Sequence, residues 1–353
     1  MLLMVGTIKG LMRFQSEDRR YFRALSPALT GEPVYHSAYD PVSRTLYAAV
    51  NSDFYGPSVR RSHDGGETWD TGGQGLQYGE DDPERVTRVW SVRPAGRGVL
   101  YAGVEASGLF RSENGGDTWE EVRALREHPT HATWGEGAGG KCLHTVLVDP
   151  FDGRRLYTAC STGGVYRSDD GGASWRPSNR NIRAEHVPED LLYPEAGQCV
   201  HKIAFSPTRP GRLWARSHSG VYRSDDGGDT WEAIDATLPS DFGFPLVTHP
   251  RDPERAFVIP LASDGERWFP GQQAAVYRTD DGGRVWRPLS EGLPGGAFSV
   301  VLRDAFSGDG ESPQGLYFGT TSGSVYASAD EGEVWTTVAQ ELPRVLSVTV
   351  VAQ

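Results

Sequence analysis

The chain offers little that would tie it to a membrane or a nucleic acid. Across 353 residues no apolar run approaches the roughly 20 residues that a spanning helix needs. Positive charge is in deficit: 35 Lys and Arg stand against 47 Asp and Glu, a net charge of −12. That balance argues against DNA, RNA or an anionic bilayer as partner. Cysteine is scarce; Cys142, Cys160 and Cys199 are the full set, too few for a disulfide framework, so the cytoplasm is expected. The opening Met1–Met12 lacks a basic segment and a long apolar core, and is expected to belong to the fold rather than to a leader. No G-x-S-x-G nucleophile motif is present.

What the chain has instead is repetition. Ser62–Trp69 reads SHDGGETW and Ser112–Trp119 reads SENGGDTW. Ser168–Trp175, Ser224–Trp231, Thr279–Trp286 and Ser328–Trp335 follow the same pattern, and the closing tryptophans recur every 49 to 56 residues. A worn copy, Ser16–Tyr21, opens the chain. A Ser or Thr hydroxyl and an Asp carboxylate can hold a tight turn through nearby backbone N–H groups. The glycines supply positive φ where the chain reverses. A group repeated in nearly every unit cannot mark a single active site, so the motif reads as architecture. The same discount applies to the arginine preceding most copies (Arg61, Arg111, Arg167, Arg223, Arg278).

The pattern S/T-x-D/N-x-G-x-x-W resembles the Asp-box, or BNR repeat, found in bacterial sialidases, sortilin-like receptors, some endoglucanases and a photosystem II assembly factor. Around each copy lie short β-branched or aromatic runs bounded by Gly, Pro and Asp, which read as four strands per unit. Repeats of this length made of four strands imply the blades of a β-propeller. Full units start near residues 34, 86, 141, 198, 244 and 297. Residues 1–25 supply three strands and 344–353 supply one, so the two ends are expected to share a blade and close the ring. The expectation is all-β: one domain over 1–353, a seven-bladed propeller of four-stranded antiparallel blades. The stretches GEPVYHSAYDP, GQCVHK and LPSDFGFPL make the whole chain similar to bacterial WD40/YVTN/BNR-like repeat proteins labelled glycosyl hydrolase or exo-α-sialidase. The resemblance implies glycosidase-like chemistry at most. The F/Y-R-I-P motif of sialidases is missing.

Function is expected where repetition stops: the loops at the channel mouth, on the face opposite the boxes. Two loops there, Arg126–His144 and Arg183–Lys202, are rich in His and carboxylates. Glycosidases use two carboxylates, for which Glu105, Glu136, Glu189, Asp190, Glu195 and Asp241 are available. Glu105 and Asp241, with His144 and His201, are the expected catalytic groups. His36, Arg88, Trp90, Lys141, Lys202 and His218 are expected to bind ligand, with Trp90 and Trp134 covering its C–H faces. Cys142/His144 and Cys199/His201 hold equivalent places in adjacent units and could together ligate zinc or another transition metal. Buried thiols beside channel histidines are the plainer reading of the same residues. The leading expectation is a monomer that binds, and in one version hydrolyses, a small polar or saccharide-like ligand. A metal-dependent enzyme and a non-catalytic interaction scaffold are the alternatives.

Overall fold

The computed structural model describes residues 1–137, 139–185 and 187–352. Its described strands fall into seven antiparallel units. Blade 1 joins Val345–Val351 to Leu2–Thr7, Gly10–Gln15 and Arg23–Ala24, in that order across the sheet. Leu2 faces Val351 and Leu3 faces Val350, so the two ends of the chain do share a blade. Gln353 lies outside the described residues. The later blades begin at Val34, Arg88, Cys142, Val200, Gly243 and Phe306. Each first strand lies beside the first strand of the next blade, and the seventh returns to Val345–Val351. The result is a β-propeller. The Arg126–His144 loop is preceded by a helical turn at Arg123–Arg126 and contains a 3-10 turn at Pro129–Thr133. No helix among the described residues is long and apolar enough to cross a membrane.

The boxes form one hydrogen-bonding pattern six times over. In blade 5 the Ser224 Oγ accepts from the Gly228 N–H at 2.8 Å and donates to Asp226 Oδ1. Asp226 Oδ1 in turn accepts from the Thr230 N–H at 2.9 Å. Ser62, Ser112, Ser168, Thr279 and Ser328 repeat the first of these bonds. Gly227 and Gly228 both hold positive φ, 73° and 86°, a conformation that glycine adopts without a Cβ penalty. In the last box Glu331 takes the first of these positions at φ 61°. Two of the tryptophans bind blade to blade, the Trp231 indole donating to Ser178 O and the Trp286 indole to Ile234 O, whereas Trp69 and Trp175 donate to Gly66 O and Gly172 O of their own boxes.

Arginines before the boxes add a second tie. Arg61 reaches Gly115 O and Asp117 of the following box. Arg167 reaches Gly227 O, Arg223 reaches Gly282 O, and Arg278 reaches Glu333. In blade 1 Arg13, two positions earlier on the same strand face, reaches Gly65 O. Among the described residues two seams lack this clamp. Arg111 pairs with Glu113 of its own box, and blade 7 has Ala327 in the arginine position.

At the other end of the blades a different feature recurs. The pairing of the first strand with the second is broken by a register shift near its start. One residue is left over: Tyr35 in blade 2, Trp90 in blade 3, His144 in blade 4, His201 in blade 5. Blade 6 shifts between Gly243 and Leu246, and blade 1 between the partners of Gly6 and Thr7, leaving Leu346 over. A bulge re-aims the extra side chain.

Candidate functional site

The bulges surround a cavity of about 510 Å³ at the mouth of the ring. Tyr35, Trp90, His201, Phe244 and Leu346 line it, which are bulge residues from five blades. Loops on the same face add Glu136, Thr162, Glu185, His218, Asp264 and Arg267. Arg303, Asp304 and Arg344 complete the charged lining.

Arg303 is the most exposed to consequence. Its guanidinium carbon lies 5.5 Å from the Trp90 ring centre and 5.7 Å from that of Phe244. Its Nε is buried and has no hydrogen-bond partner, and no ion pair to it occurs among the described residues. Arg267 lies over Phe242 and Phe244. Beneath them Asp304 takes the Lys202 ammonium, and His36 Nε2 approaches it at 4.0 Å. Burial by itself would raise the Asp304 carboxyl, but Lys202 and His36 outweigh it and the group stays below the usual range. Lys202 belongs to blade 5 and Asp304 precedes the first strand of blade 7, so this pair reaches across the ring.

The bulge histidines differ sharply. His144 is fully buried; its Nε2–H donates to Val200 O at 2.9 Å and its Nδ1 meets Thr145 Oγ1 at 3.0 Å. Both ring nitrogens are used. His201 donates Nδ1–H to Gly243 O at 2.6 Å. A carbonyl can only accept, so the neutral ring carries its lone pair on Nε2. That Nε2 lies 3.5 Å from Cys199 Sγ. Burial, followed by the charge of Arg303, holds both rings well below the ordinary histidine value. Burial also lowers His36 to about 4 and raises the Cys199 thiol to about 11.

Trp90, Glu136, Cys199, His201 and His218 are the expected residues that the cavity brings together. His36 and Lys202 sit below it, against Asp304. Several expectations are corrected. Glu105 does not line the cavity; it accepts from Arg88 Nη1 at 2.7 Å and from the Trp90 indole at 3.1 Å. Glu105 and Arg88 therefore position Trp90. Asp241 is exposed one residue before buried Phe242, and does not line the cavity. Lys141 pairs with Glu84 at 3.7 Å in a separate outer groove. Trp134 is core: its indole donates to Tyr166 Oη at 2.9 Å. Among the described residues Cys142, His144, Cys199 and His201 do not form one ligand cluster, and both His144 ring nitrogens are engaged, with Val200 O and Thr145 Oγ1. The cluster with metal-ligand spacing among the described residues is Cys199, His201 and His218, whose ligand atoms lie within 4.8 Å of one another. His186, in one of the loops singled out from sequence, is outside the described residues.

Tyr35, Phe242, Phe244, Arg267, Arg303 and Asp304 were not singled out from the sequence. The first-strand starts VYH, VW, LH, VH and GFP held the signal for two of them, since each places an aromatic or imidazole ring at the bulge.

Comparisons with known proteins agree with the architecture. The BNR/Asp-box repeat family model matches residues 222–233, the end of one blade. A xyloglucanase of Hypocrea jecorina is 25% identical over 260 residues, 69% of this chain and 25% of that protein. Xyloglucanase Xgh74A of Acetivibrio thermocellus is 26% identical over 312 residues, 80% of this chain and 34% of its own. The chain thus spans about a quarter to a third of the length of these relatives. Among solved structures, an ancestral GH74 enzyme superimposes with a TM-score of 0.64 at 18% identity, covering 93% of this chain and 40% of that one. YCF48 bound to D1 peptide gives 0.53 at 15% identity, covering 95% and 89%. At such identities the structural likeness is one of fold.

Proposed function

We propose that the mouth cavity binds a small hydroxylated ligand of the saccharide class that carries an anionic group. The observation that carries this reading is Arg303, a cation with no hydrogen bond or ion pair among the described residues, held between the rings of Trp90 and Phe244. An unpaired guanidinium offers a fork for a carboxylate. Tyr35, Trp90, Phe242 and Phe244 supply the apolar faces that cover sugar C–H groups. A cavity of about 510 Å³ falls within the range usual for small-molecule sites. The kinship in sequence with xyloglucanases supports a carbohydrate ligand and favours hydrolysis as the accompanying activity. Hydrolysis would draw on two of Glu136, Glu185 and Asp264, the cavity carboxylates other than Lys202-bound Asp304.

The test is titration calorimetry with uronate-containing oligosaccharides and their neutral counterparts, alongside reducing-end release. The acidic sugars should bind at least about tenfold more tightly, and Arg303→Met should remove that preference. Equal affinity for both sugar types, or an unchanged preference in Arg303→Met, would sink the reading.

A further inference from the structure

We infer that Cys199, His201 and His218 form a three-ligand transition-metal site of the zinc class, open on its fourth side to the cavity. The inference stands apart from the anionic-ligand reading, because Arg303 contributes nothing to the ligand set.

Four observations carry it. First, the ligand atoms already converge within 4.8 Å. The one resolved pair, Cys199 Sγ to His201 Nε2, is 3.5 Å apart. Zinc–sulfur and zinc–nitrogen bonds at a tetrahedral angle place these atoms about 3.6 Å apart. Second, the orientation of His201 is fixed from behind. Its Nδ1–H donates to Gly243 O at 2.6 Å, which leaves Nε2 as the lone-pair nitrogen. Backbone carbonyls and carboxylates commonly hold metal-binding imidazoles in this way. Third, Cys199 and His218 are locked together by backbone: the His218 N–H donates to Cys199 O at 2.9 Å, and Ser217 Oγ donates to the same oxygen at 3.1 Å. Asp264 Oδ2 lies 3.5 Å from His218 Nε2. Fourth, all three ligands line the cavity, so a bound ion would face ligand rather than protein.

The surrounding charge is mixed. Arg303, Arg267 and Arg216 oppose a cation, whereas Asp264 and Glu185 favour it. Metal binding would require the Cys199 thiolate, and the ion itself supplies the field that deprotonates a coordinating thiol. A thiolate with two imidazoles suits zinc, cobalt(II) or copper(I) and disfavours magnesium or calcium. The equivalent pair in blade 4 cannot do this, since His144 Nε2 is spent on Val200 O.

The full chain, kept reduced, should take up one zinc ion per molecule by elemental analysis. With cobalt(II) it should develop the thiolate charge-transfer absorption of a cysteine-bound ion. Cys199→Ser should abolish that absorption, and His218→Gln should weaken metal affinity at least about tenfold. Cys142→Ser should change neither. Thermal melts of each variant establish folding, and if Cys199→Ser fails to fold then His218→Gln decides. No stoichiometric uptake by the wild type overturns the inference. So does uptake that survives Cys199→Ser, or that Cys142→Ser and Cys199→Ser disturb equally. The uronate preference of Arg303 would survive any of these failures.

Discussion

Each blade has two repeated devices, one at either end, and they differ in what is allowed to vary. At the box end the residues repeat and so does the geometry: Ser62, Ser112, Ser168, Ser224, Thr279 and Ser328 each accept from a backbone N–H four residues on. At the mouth end only the geometry repeats. The bulge recurs, but its occupant is Tyr35, Trp90, His144 or His201. A device that keeps both is stabilising a shape. A device that keeps its backbone and changes its side chain is presenting chemistry. This contrast separates architecture from function more cleanly than the abundance of any residue type.

Trp231→Ala tests the box end hardest. The ring is buried between blades 4 and 5 and bonded across the seam, so its loss should cost about 3–5 kcal/mol. Denaturant titration measures that cost, and affinity per folded molecule should not change. A folded, equally stable variant that no longer binds would break the contrast.

Acid should strike the two ends in different windows. His36, His144 and His201 are held neutral, with folded pKa values below the ordinary 6.5. Between that value and the folded pKa the unfolded chain binds more protons. Stability should therefore fall as pH drops below about 6.5, by up to about 1.4 kcal/mol per pH unit for each ring. The box carboxylates run lower: Asp170 is held at about 2 by Ser174 and Ser168, and Asp64 lower still by Thr68. Their contribution is complete above the ordinary carboxylate range and is lost as pH falls toward 2. Melting temperature against pH should show both regimes, and His144→Gln should flatten only the upper one. A single transition near pH 4 would deny the separation.

Ser224→Ala removes the bond to the Gly228 N–H and should cost about 1–2 kcal/mol, as for a buried donor left unpaired. Arg303→Met should move stability least, by under about 0.5 kcal/mol, while removing the preference for acidic sugars. If thermal melts show the reverse order for these two variants, Arg303 belongs to the scaffold.

The fold was legible because the box is a local code. Its hydroxyl, carboxylate and glycines lie within eight residues of one another, so their hydrogen bonds are implied by contiguous sequence. The site was legible only in part because its deciding partners lie across seams. LHT at Leu143–Thr145 and VHK at Val200–Lys202 read alike. What distinguishes them is which carbonyl meets the ring: Val200 O occupies Nε2 of His144, whereas Gly243 O occupies Nδ1 of His201. Glu105 and Asp241 looked like catalytic carboxylates because loop position was known and orientation was not. Arg303 carries no such signal, because it lies in the blade whose first strand, Phe306–Gly308, is the shortest and the repeat there is weakest.

The arginine clamps divide the ring unevenly. Five seams are riveted, and the seams between blades 3 and 4 and between blades 7 and 1 are not. Blades 1–3 and blades 4–7 are thus two clamped arcs, and other contacts join them: Cys142 pairs with Glu105 between blades 3 and 4, and Arg19 reaches Asp309 and Pro313 O between blades 7 and 1. The mouth straddles them: Tyr35 and Trp90 belong to the shorter arc, and Cys199, His201, Phe244 and Arg303 to the longer. Arg303 over Trp90, like His36 beside Asp304, links the two arcs at the channel mouth. A guest seated between Trp90 and Phe244 would touch both arcs at once.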